Sequence, residues 1–151
     1  AAFLRKGMTA EAVKNLKDLK LDNDTINRVR TLISWQDYGL GPDKYSIRIA
    51  MSRMEPDLFD DLLEFRMCLS EAGARQDLAH TALLVDEIRR AGDCISLKTL
   101  AVSGHDIMGA GVKPGREVGN TLTRLLDMVL EEPQRNTKEY LLAHLGQSAE
   151  K

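Results

Sequence analysis

The 151-residue chain predicts an all-α protein, a compact bundle of seven or eight helices with a helix, glycine-rich turn and helix unit near its C-terminus. Three observations carry this. Apolar residues recur at three- and four-residue spacing along nearly the whole length, and no segment alternates as a half-buried strand does. Glycine, proline and capping residues fall where helices must end or begin. Apolar residues make up 43% of the chain, enough for a packed core and too many for wholesale disorder.

Thr9 can cap a first helix of about ten residues, with Glu11 in its first turn where the helix dipole favours an acid. Asp22, Asn23 or Asp24 caps the second, whose stripe runs through Ile26, Val29 and Ile33 until Gly39, Gly41 and Pro42 break it. The third starts near Asp43 and turns Ile47, Ala50, Met51 and Met54 inward. Pro56 suits the first turn of a fourth, with Leu58, Leu62, Phe65 and Leu69 at core spacing and Gly73 at its end. Gln76 to Ala91 makes a fifth, using Leu78, Ala82, Val85 and Ile88, stopped by Gly92. A short link and the glycine-rich unit follow, then a long helix with Val118, Leu122, Leu125, Leu126 and Val129 inward and Pro133 as its stop. Asn136 caps a last helix holding Leu141, Leu142 and Leu145. A soft boundary near Gly92 separates a region 1–92 from a smaller region 93–151.

Formal net charge is only −2, so a globally basic nucleic-acid binder is not indicated and any such site must come from local clustering. Residues 55–71 carry six acids against Arg66, and residues 5–31 carry seven bases against four acids; both read as solvated helix faces. Cys68 and Cys94 lack metal-type spacing and read as reduced, buried thiols of a cytoplasmic protein. No apolar run approaches the ~20 residues a membrane span needs. The opening Ala1-Ala2-Phe3-Leu4 has no initiator Met and looks like a cut through a longer protein, with Phe3, Leu4 and Met8 as a candidate self-association patch.

Catalytic constellations are poor. His80, His105 and His144 are scattered, and no His-x-x-x-His or Glu-x-x-His pair occurs. His105-Asp106 has the letters of a metal-phosphohydrolase pair, but Ser103 and Asp106 fit helix capping better than ligation. Asp57, Asp60, Asp61 and Glu64 share a helix face with no nucleophile or base beside them. We therefore expect no catalytic and no metal-ligating residue.

The glycine-rich turn is different. Gly109, Gly111, Gly115 and Gly119 fall within eleven positions, a density that suits close approach of backbone to a phosphate. In a helix–hairpin–helix arrangement the second helix offers its first N–H groups, and its dipole, to an anion. Gly111-Val112-Lys113-Pro114-Gly115-Arg116 has these ingredients: Pro114 and Gly115 set up the helix start, Lys113 and Arg116 flank it, and Gly119 has no side chain to block approach. Lys98 and Arg124 could extend the basic patch. A tight turn between packed helices, with Gly119 in a close crossing, fits the same letters.

Two segments resemble the C-terminal region of bacterial CCA-adding tRNA nucleotidyltransferases of the poly(A) polymerase family. One is Leu16-Lys17-Asp18-Leu19-Lys20-Leu21-Asp22-Asn23-Asp24-Thr25-Ile26 with Val29. The other is Leu100-Ala101-Val102-Ser103-Gly104-His105-Asp106-Ile107-Met108 with Gly111, Lys113-Pro114-Gly115, Val118-Gly119, Leu122, Leu125-Leu126 and Val129-Leu130, closed by Asn136-Thr137-Lys138-Glu139. That family builds a head, neck, body and tail. Its head carries a Gly-Ser motif and an Asp-x-Asp pair that binds Mg²⁺, and its neck a Glu/Asp-x-x-Arg motif that templates CTP and ATP.

This chain has no head motif in context. Asp22-Asn23-Asp24 opens a helix, and Glu87-Ile88-Arg89-Arg90 has the neck's letters on a charged helix without a head to serve. The resemblance thus implies a body-and-tail piece that is catalytically silent by itself, lacks a cofactor of its own, and works beside the head and neck of its parent. It implies tRNA as partner, held weakly through phosphates by Lys98, Ser103, Gly104, His105, Gly111, Lys113, Gly115, Arg116, Gly119 and Arg124. The competing expectations are an HD-type metal-dependent phosphohydrolase remnant and a purely structural helical module.

Overall fold

The computed structural model describes residues 2–145, with side chains described from Thr9 onward. The patch expected around Phe3, Leu4 and Met8 lies outside the described side chains. Among the described residues there are eight α-helices, one 3-10 turn and no strand, as the apolar spacing predicts. The helices are α1 (Ala2–Asp18), α2 (Asn23–Trp35), α3 (Lys44–Ser52), α4 (Pro56–Leu69), α5 (Ala72–Ala91), α6 (Gly104–Gly109), α7 (Arg116–Glu131) and α8 (Lys138–Ala143), with the 3-10 turn at Pro133–Arg135. None of the described helices is long and apolar enough to cross a membrane.

The chain divides into two units, one of Ala1–Pro42 with Met54–Leu83 and the other of Asp43–Arg53 with Leu84–Lys151. In the first, α2 packs on α1 and on α4. Thr9 lies inside α1 instead of capping it. That helix ends at Lys20 in the left-handed region (φ 58°), with the Leu21 N–H reaching back to the Leu16 carbonyl at 3.2 Å. Of the three candidate caps for α2, Asp22 is used: its carboxylate accepts from the Thr25 N–H at 2.8 Å and the Thr25 hydroxyl at 2.7 Å. Those bonds hold its pKa below the ordinary carboxylate value.

Helix α4 is rotated from the expected phase. Phe59, Leu62 and Leu63 are buried, Leu58 and Phe65 are half-buried, and Leu69 is 66% exposed. Apolar residues cover more than half of this helix, so spacing alone does not set its rotation. Arg28 of α2 pairs with Asp61 and donates to the Asp57 carbonyl at 3.3 Å, which takes up part of the acidic face. Arg66 donates to the Trp35 carbonyl at 2.8 Å and to the Tyr38 carbonyl, serving the C-terminal end of α2. Burial lowers its pKa, and its Nε is buried without a partner. Gly73 falls inside the first turn of α5, which starts four residues earlier than expected.

In the second unit Asp43 caps α3, accepting from the Ser46 N–H at 3.0 Å. Ile47, Ala50 and Met51 are buried as expected, and so is Arg48. Its guanidinium donates to the Leu130 carbonyl at 2.7 Å, the Glu131 carbonyl at 3.1 Å and the Asp93 carboxylate at 3.0 Å. The last turn of α7 is thereby closed by a cation at its negative end. Cys94, Leu100, Val102, Ile107, Leu125, Val129 and Leu141 form one buried cluster, with Leu122 and Leu126 packed against it. Cys94 is the buried thiol; Cys68, expected to be buried too, is exposed, and both are free. Thr137, not Asn136, caps α8, accepting from the Tyr140 N–H at 3.3 Å.

Candidate functional site

Gly92, with φ +70°, ends α5 and releases a loop anchored by the buried Cys94, Leu100 and Val102. The loop is fastened from a distance by Asn136, whose Oδ1 accepts from the Ala101 N–H at 2.8 Å and whose Nδ2 donates to the Thr99 carbonyl at 3.1 Å. Asn136 thus serves the loop, and Thr137 serves as the cap of α8.

Helix α6 opens with a capping box. The Ser103 hydroxyl accepts from the Asp106 N–H at 3.3 Å, and the Asp106 carboxylate accepts from the Ser103 N–H at 2.8 Å and from its hydroxyl at 2.6 Å. Lys138 of α8 also bonds to Asp106. Lys138 first, then Ser103, drives the Asp106 pKa far below the ordinary carboxylate range. Ser103 and Asp106 thus cap, as the sequence suggested, and His105 beside them is exposed. Gly104 has a packing reason: a Cβ there would stand 3.2 Å from Val118 Cγ1 in the first turn of α7. The two helix starts are therefore neighbours.

At the other end of α6, Gly111 takes φ +101°, its N–H bonding to the Met108 carbonyl at 3.0 Å and the Val112 N–H to the Ile107 carbonyl at 3.3 Å. This is a Schellman end, and Val112 packs back on the core cluster. Lys113-Pro114 then leads into Gly115 at φ 116°, ψ −143°, a conformation open essentially to glycine alone. Gly115 stands at the N-cap of α7 with no side chain to offer, so the first N–H groups of a 16-residue helix have no side-chain acceptor. Lys98, Lys113 and Arg116 are exposed and have no polar partner among the described residues. Gly111, Gly115 and Gly119 face open space, so no close helix crossing explains Gly119. Glu117, in the first turn, opposes the cations.

Arg124 stands apart from this group. It is half-buried and donates to the His144 carbonyl at 3.5 Å near the end of α8. Asn136 and Lys138 order the site although neither was among the expected contacts; they lie 32 to 37 residues from their partners, and no local pattern announces such pairing. Elsewhere, Glu87 of the Glu-x-x-Arg letters pairs with Lys44 at 2.8 Å. Among the described residues no three His, Cys, Asp or Glu side chains lie close enough to hold a metal ion.

No solved structure matches the chain. The chain is 38% identical over 65 residues to CCA tRNA nucleotidyltransferase 1, mitochondrial, of Danio rerio, an alignment covering 43% of this chain and 14% of that protein. The family model for tRNA nucleotidyltransferase domain 2 matches residues 2–145. With nearly its whole length matched, the chain belongs to the tRNA nucleotidyltransferase domain 2 family.

Proposed function

We propose that this chain holds tRNA for a CCA-adding nucleotidyltransferase, taking the phosphate backbone at the turn Gly111–Arg116 and the start of α7, while the chemistry belongs to other parts of the enzyme. The observation that carries this is the glycine cap of α7. It leaves main-chain donors at the positive end of a long helix, uncovered by side chains and flanked by the exposed Lys113 and Arg116. Such donors recognise phosphate and helix shape, not sequence, which suits a protein that must accept many tRNAs. In this reading Gly104, Ser103 and His105 belong to the supporting start of α6, and Lys98 adds a third cation. The two free thiols suit a reducing compartment such as the cytoplasm.

Three free cations set the scale. Binding should fall with salt at a log–log slope of about −2 to −3. The experiment is fluorescence anisotropy of a whole tRNA, and of an unstructured RNA of equal length, at two salt concentrations. Preference for folded tRNA, weakened on the order of tenfold by Lys113→Ala with Arg116→Ala and with a shallower slope, supports the reading. Indifference to that double change refutes it.

A further inference from the structure

Asp106 places a carboxylate in the first turn of α6, and Gly104 of that same turn lies against Val118 in the first turn of α7. An anion therefore stands beside the helix start to which the proposed function assigns a phosphate. Left alone, its negative charge would oppose that phosphate. It is not left alone: Lys138 reaches it from α8. The Lys138 side chain is 54% exposed, and a pair so exposed adds little to stability. Its position is nonetheless prescribed, because Asn136, two residues earlier, is hydrogen-bonded through both ends of its amide to Thr99 and Ala101 on the approach to α6.

We propose that Lys138 is a positioning residue for RNA binding that acts through Asp106, cancelling the carboxylate's charge so that the adjoining start of α7 keeps a net positive field. The inference rests on the reading of that turn as a phosphate contact. It assigns Lys138 no phosphate of its own. Asp106 can then cap α6 without costing the neighbouring site its anion.

The test compares tRNA binding by the full chain, at about 50 and 200 mM salt, for the unmodified protein, Lys138→Met, Asp106→Asn and the two combined. Asparagine keeps a cap acceptor, so α6 retains its start. We expect Lys138→Met to weaken binding about threefold with the salt slope unchanged, and the combined variant to bind as the unmodified protein does. A combined variant as weak as Lys138→Met, with the slope shallower by about one, makes Lys138 a direct phosphate contact and overturns the proposal. So does unaltered binding by Lys138→Met. If that occurs while Lys113→Ala with Arg116→Ala weakens binding, only this inference falls; if the latter pair is also without effect, the reading of the turn falls with it.

Discussion

The starts of α6 and α7 adjoin, yet they are finished in opposite ways. At α6 the chain supplies everything: a serine hydroxyl, an aspartate three residues on, and a lysine from α8 to balance the aspartate. At α7 it supplies a glycine in a conformation other residues avoid, preceded by proline, and no side-chain acceptor; only the Gly115 carbonyl takes an N–H of the first turn, that of Val118 at 3.2 Å. A helix start filled by its own anion has no place for another, whereas one capped by glycine leaves its N–H groups to whatever approaches. On the proposed function, this difference favours α7 as the phosphate contact and leaves α6 as its support.

Changes to either start break or sharpen this contrast. The largest effect on folding is expected from Gly115→Ala, which forces a side chain into φ 116° and costs about 2 kcal/mol; chemical denaturation measures it. The same variant should lose tRNA affinity, because the N–H groups of α7 would be re-aimed. Ser103→Ala removes one half of the capping box and costs about 1 kcal/mol, visible as a lower Tm, with tRNA affinity at constant temperature nearly unchanged.

The smallest effect is electrostatic. Asp106 has a folded-state pKa depressed below its ordinary 3.8, so its stabilising contribution is complete above that value and is lost as pH falls toward the folded-state value. Thermal unfolding of Asp106→Asn should accordingly depend less on pH below about 4 than that of the unmodified chain. Equal dependence would mean that Lys138 and Ser103 do not hold the carboxylate in solution.

What the sequence disclosed follows from how local each cause is. Capping residues act within three positions, so Asp43, Pro56, Ser103 and Gly92 marked helix limits directly. Thr9, Gly73 and Asn136 misled for the same reason: each carries a local preference that neighbouring turns or distant partners overrode. The α7 stripe was legible because its apolar residues keep to one face, while α4 has too many to fix its rotation. In the site, the glycines and exposed cations could be read from spacing, but the engagement of Arg124 and the bond between Lys138 and Asp106 arise from packing of segments far apart in sequence. Arg48 was hidden most completely, since a base beside apolar neighbours on a helix reads as a solvated side chain until its carbonyl partners are known.

Arg48 also governs how this protein can be taken apart. The guanidinium that closes α7 comes from 82 residues upstream of Leu130, from a short helix that the chain inserts between two stretches of the other unit. A fragment beginning at Asp93 would keep the glycine turn with Lys98, Lys113 and Arg116. It would leave the Leu130 and Glu131 carbonyls and the Asp93 carboxylate without their shared donor. Isolating the unit that carries the glycine turn therefore calls for grafting residues 43–53 back onto it, and no single proteolytic cut can release that unit with α7 fully closed.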